Sequence, residues 1–114
     1  MNKPKIEEVE FGKIKIDGKE FGSENDIIVF WDGKIEEKEK THFVSEKDFK
    51  KILEKDPEIV ILSTGFHDCV NIDKSIDVLA RMHKVKLFKL KTLEACKKFN
   101  ELEGRVAILI HPTC

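Results

Sequence analysis

Ile59-Val60-Ile61-Leu62-Ser63-Thr64-Gly65 sets four consecutive aliphatic residues directly before two hydroxyls and a glycine. A run so short and so uniformly apolar suits a strand covered on both faces, and the small residues after it suit a loop at its carboxyl end. Upstream, Ser45-Glu46-Lys47-Asp48 supplies an N-cap hydroxyl with an acid three residues on, and Phe49, Ile52 and Leu53 follow at helical spacing until Asp56-Pro57 ends the helix. Downstream, Ile72, Ile76, Leu79 and Met82 mark a second helix, and Lys84 to Lys91 (KVKLFKLK) a strand. Thr92 reads as the cap of a third helix with Leu93, Cys96, Phe99 and Leu102 inward and Gly104 at its end, before the closing strand Arg105 to His111 (RVAILIH). Strand, helix, strand, helix, strand, with crossovers of this length, predicts parallel neighbours.

The first third has a different grammar. Val9, Phe11, Ile14 and Ile16 alternate with charged residues as inward candidates, and Asp17-Gly18 predicts a tight hairpin turn, because both residues tolerate positive φ. Asp26-Ile27-Ile28-Val29-Phe30-Trp31 reads as a central strand with Trp31 buried, and Lys34 to Lys40 (KIEEKEK) as a solvated edge strand or loop. The lysines interrupting Val85, Leu87, Phe88 and Leu90 place that strand at a sheet edge as well. The fold expected is α/β: one three-layer domain over residues 1–114, a mixed β-sheet flanked by helices, with an N-terminal hairpin region.

Composition narrows the partners. Of 21 basic residues only Arg81 and Arg105 are arginines, against 22 acids, and glutamine is absent, a Lys/Glu bias that suggests a thermophile. A net charge of −1 lacks the basic excess that displaces phosphate counterions, so nucleic acid is not expected as a partner. With no apolar signal core and no run long enough for a bilayer, a cytoplasmic protein without membrane attachment is expected. Cys69, Cys96 and Cys114 are odd in number and widely spaced, unlike a disulfide framework.

Chemistry-bearing side chains gather in one loop. Ser63, Thr64 and Gly65 follow a buried strand, where an anion can meet backbone amides, and His67, Asp68 and Cys69 add an imidazole, a carboxylate and a thiol. These six are the candidate ligand-binding residues. Neighbours in one loop usually point apart, however, and nucleophile and base generally come from different segments, so no catalytic dyad is expected within it. A zinc site from His67, Cys69, His111 and Cys114 would need both segments to end at one sheet edge, and neither a metal nor a cofactor is expected. Cys96, on an apolar helix face, reads as core.

Val9-Glu10-Phe11-Gly12-Lys13-Ile14 leading to Ile16-Asp17-Gly18, then Asp32-Gly33-Lys34-Ile35, Ser63-Thr64-Gly65 and His111-Pro112-Thr113-Cys114, occur in an order that resembles the Mth nine-three-eight domain family. The resemblance covers essentially the whole chain, and implies a compact three-layer α/β domain with a mixed sheet. The family includes an adipogenesis-associated protein and a mitochondrial complex I assembly factor, so it implies a non-catalytic role through an unidentified protein partner and carries no general enzymatic activity. Two departures stand out: the loop Phe66 to Val70 replaces a glycine and methionine of relatives, and the KIEEKEK run replaces an aromatic residue and an arginine, with His42 matching a histidine seen there. The alternative expectation is a small-molecule- or anion-binding domain, or a minor enzyme, using the loop Ser63 to Cys69. An apolar pocket with convergent polar groups beside that loop would favour this alternative, and a flat apolar patch the partner.

Overall fold

The computed structural model describes residues 3–22 and 24–114. Among the described residues, ten strands and three helices follow one another as β1 (Ile6–Glu10), β2 (Lys13–Ile16), β3 (Lys19–Phe21), β4 (Asn25–Phe30), β5 (Ile35–Glu39), β6 (Phe43–Val44), α1 (Glu46–Leu53), β7 (Ile59–Ser63), β8 (Asn71–Ile72), α2 (Ser75–Met82), β9 (Lys86–Leu90), α3 (Thr92–Glu101) and β10 (Val106–Ile110). The two most aliphatic late runs, β7 and β10, lie inside a five-stranded sheet ordered β5-β4-β10-β7-β9, as their lack of polar positions requires. β10 runs parallel to β7 and antiparallel to β4, and β9 runs parallel to β7. The sheet is therefore mixed, and its charged strands β5 and β9 are its two edges.

The strand period of two divides the core. Ile27, Val29, Ile61, Ile108 and Ile110 face Ala95, Cys96 and Phe99 of α3, together with Ile6, Ile14, Ile16 and Phe21 of the separate three-stranded sheet β1-β2-β3. Ile28, Phe30, Val60, Leu62, Ala107 and Leu109 face Phe49 and Ile52 of α1 and Ile76 and Ala80 of α2. Asp17 (φ 45°) and Gly18 (φ 83°) make the hairpin turn between β2 and β3. Ser45 and Asp48 form the full capping box of α1, an arrangement worth about 1 kcal/mol to a helix start. Among the described residues no helix is long and apolar enough to cross a membrane.

Several local expectations are corrected. Ile72 is not helical but pairs as β8 with β6, and α2 begins only at Ser75. Thr92 does not cap α3: it is fully buried and donates its hydroxyl to the His111 carbonyl at 3.0 Å, leaving Lys91 at the cap position. Met82 and Leu93 are exposed because the helices that carry them bury other faces. Phe11, expected inward, lies in the β1–β2 turn and is 57% exposed, and Trp31 is only half-buried, edge-on to Phe30.

Candidate functional site

The registers β4–β10 and β10–β7 bring three polar residues together at one end of the sheet. Ile27 pairs Ile110 and Leu62 pairs Leu109, so Asp26 at the start of β4, Ser63 at the end of β7 and His111 just after β10 become neighbours. All three are buried, Asp26 and His111 each at 1% exposure. Polar groups removed from water this completely must find partners in one another. The His111 backbone N–H donates to Ser63 Oγ at 2.7 Å, and His111 Nδ1 lies 2.8 Å from the Ser63 carbonyl. A carbonyl only accepts, which assigns the ring proton to Nδ1 and leaves Nε2 facing Asp26 Oδ2 at 3.4 Å.

Burial holds the His111 imidazole below its ordinary pKa, against the opposing pull of the Asp26 carboxylate and the Ser63 carbonyl. In the unfolded chain the same ring titrates near 6.5, so as pH falls through that value the unfolded state takes up the proton first. This contribution to stability is therefore intact above about pH 6.5 and is lost as pH falls below it. Asp32 and Asp73, whose pKa values are lowered by hydrogen bonds from Lys55 and from Ser75, lose their contributions only in the more acid carboxylate range. Urea midpoints measured from about pH 7.5 to 5 should fall for the native chain and fall less for His111→Gln; equal slopes would contradict this assignment.

Asp26 also holds the segment that follows β5. Its Oδ2 accepts the Thr41 backbone N–H at 3.1 Å and pairs with Lys38 at 3.7 Å, while Lys38 reaches Asp48 at 4.0 Å. Farther along, the His42 carbonyl accepts the Asn71 N–H at 3.0 Å, and β6 pairs β8. One carboxylate thus anchors the turn bearing Lys40 and His42 while facing the histidine from which Pro112-Thr113-Cys114 departs. The two segments meet where Cys114 Sγ is in hydrogen-bond contact with His42 Nδ1, with Nε2 at 3.7 Å.

The loop after β7 supports this meeting through its backbone. Gly65 adopts φ +93°, and a Cβ there would stand 2.8 Å from the Cys114 carbonyl oxygen. The His67 N–H donates to that same oxygen at 2.7 Å, and the Gly12 N–H donates to the Pro112 carbonyl at 2.7 Å. Phe11 is thereby held beside the segment, its ring 5.6 Å from Phe66 and 5.8 Å from His67. Phe11, Gly12, Lys40, His42, Thr113 and Cys114 line an open concavity of about 610 Å³.

The six residues singled out by sequence have different fates. Ser63 is bonded to His111, Thr64 is buried in the sheet end, and Gly65 lies under Cys114. His67 and Cys69 are exposed and touch only through the Cys69 thiol and the His67 carbonyl, at 3.5 Å, and Asp68 is exposed with φ 58°. β7 and β10 do end at one edge, yet His67 faces Phe11, His111 faces Asp26 and Cys114 faces His42. Among the described residues no three His, Cys, Asp or Glu gather in metal-ligating geometry. Sequence reasoning missed Asp26 and the His42–Cys114 pair. The available signal was a charge heading one apolar strand and a histidine ending another, each of which needs a partner once buried.

Solved structures share this fold. The conserved hypothetical protein PH1505 from Pyrococcus horikoshii OT3 is similar at 31% identity and a TM-score of 0.82, with 96% of this chain and 99% of that one covered. The protein MT938 is similar at 26% identity and a TM-score of 0.78 over 97% of this chain and 99% of that one. An outer membrane protein from Bartonella henselae, at 22% identity, has the same fold, with a TM-score of 0.79 over 96% and 94%. The model of the DUF498/DUF598 family matches residues 6–111, from the first strand to the buried histidine, and the chain belongs to that family of proteins of unknown function.

Proposed function

We propose that this domain binds a small organic acid in the concavity between Phe11 and the His42–Cys114 pair. The observation that carries the reading is the convergence of an ammonium, an imidazole, a thiol and a hydroxyl, from Lys40, His42, Cys114 and Thr113, beside the apolar wall of Phe11. A volume of about 610 Å³ falls in the range of small-molecule sites, and a few convergent polar groups on an apolar wall are their usual chemistry. Lys40 supplies the charge that favours a carboxylate. The groove on the outer face of α1 is a poor competitor: it is lined by Glu46, Lys47, Lys50, Lys51 and Glu54, charges of both signs with Lys50 already paired to Glu46 at 3.0 Å. Three free thiols suit a reducing compartment, and the cytoplasm is the proposed location.

Equilibrium dialysis against short aryl and alkyl carboxylates tests this reading. At least one should bind, and Lys40→Glu should weaken it about tenfold or more, equivalent to about 1.4 kcal/mol. Affinity indifferent to Lys40→Glu would overturn it. A second reading, a protein partner that covers the same mouth, is favoured by the exposure of Phe11 on its Phe66–His67 support. Under that reading Phe11→Ser abolishes capture of the partner while no carboxylate binds.

A further inference from the structure

We infer that Cys114 is a thiol-exchange site that, with His42 as its base, forms a mixed disulfide with an anionic low-molecular-weight disulfide. The inference rests on the concavity being a binding site and adds the chemistry done there. Nucleophile and base come from segments 72 residues apart and meet at an open mouth, the arrangement that activates a thiol. His42 Nδ1 accepts the Cys114 proton, and the thiolate attacks one sulfur of the bound disulfide. The old S–S bond breaks as the new one forms, and the departing thiolate takes the proton back from His42. One disulfide and one thiol enter, and one mixed disulfide and one thiol leave, so the bound disulfide is the only oxidant required. Lys40, on the same wall, pairs with the carboxylate of the incoming molecule.

The chain carries its own comparisons. Cys69 is exposed, and its sulfur lies against the His67 carbonyl, an acceptor that cannot remove the thiol proton. Cys96 is sealed in the core, where burial pushes its pKa up to about 12. Access alone would therefore favour Cys69, and a nearby base favours Cys114.

The experiment incubates the full chain with glutathione disulfide near neutral pH and follows each cysteine peptide by mass spectrometry. Cys114 should form the adduct about tenfold faster than Cys69, with Cys96 unmodified. His42→Ala should slow Cys114 by about tenfold near pH 7, and the difference should narrow in alkaline solution, where hydroxide replaces the missing base. Equal rates at Cys69 and Cys114, or a Cys114 rate unchanged by His42→Ala, would overturn the inference. Equilibrium dialysis of the native chain against a carboxylate that carries no disulfide separates the two readings: exchange that fails while that carboxylate still binds overturns this inference alone, and failure of both overturns the site itself.

Discussion

Asp26→Ala should destabilise the protein by about 3 to 5 kcal/mol, the cost of removing one partner from a buried charged network. The carboxylate is 1% exposed, accepts the Thr41 N–H, pairs with Lys38 and faces His111 Nε2. Alanine leaves the Thr41 N–H without its acceptor and takes from Lys38 its most buried partner, with only Asp48 at 4.0 Å still opposite that ammonium. Asp26→Asn should be milder, because an amide oxygen in the Oδ2 position can still accept from the Thr41 N–H. Urea denaturation of both variants checks the pair. A loss below about 1 kcal/mol for alanine, or equal losses for both, would show that the network does not anchor the sheet end.

Gly65→Ala should cost about 2 to 4 kcal/mol, for two separable reasons. A side chain at φ +93° carries the left-handed penalty of about 1 to 2 kcal/mol, and its Cβ would press on the Cys114 carbonyl at 2.8 Å. Gly18, at φ +83° with nothing within 4 Å of a built Cβ, isolates the first term. Gly18→Ala should therefore be the milder change in urea, and only Gly65→Ala should also slow alkylation of Cys114 by displacing it from His42. Equal effects of the two substitutions would mean that the close approach of residues 65 and 114 contributes nothing.

Much of the fold was legible because it follows from local chemistry. The aliphatic runs of β7 and β10 could only be interior strands, the lysines of β9 marked an edge, and Ser45 with Asp48 announced a helix start. Errors arose where a long-range partner outbid the local pattern. Thr92 looked like a cap until the His111 carbonyl, 19 residues on, claimed its hydroxyl, and Ile72 fitted a helical spacing until β6 offered it a strand partner. The site was less legible than the fold for the same reason. Its imidazole and thiol stand 72 residues apart, and what joins them is the antiparallel register of β4 on β10, which residue spacing does not encode. The loop that attracted attention in the sequence contributes mainly backbone: Gly65 for closeness and the His67 N–H for a hydrogen bond.

Two devices at one sheet end thus have a common purpose in the proposed account. Asp26, through Thr41 and Lys38, and Ser63, through the His111 backbone, fix the bases of two segments, and those segments present Lys40, His42 and Cys114 to solvent beside Phe11. The most direct measurement is a titration of the isotope-labelled chain with a bound carboxylate, followed by amide chemical shifts. The account predicts that the largest shifts fall on Gly12, Lys40, His42, Thr113 and Cys114, and disappear in Lys40→Glu. Shifts centred instead on Glu46 to Glu54 along α1, or persisting unchanged in Lys40→Glu, would contradict it.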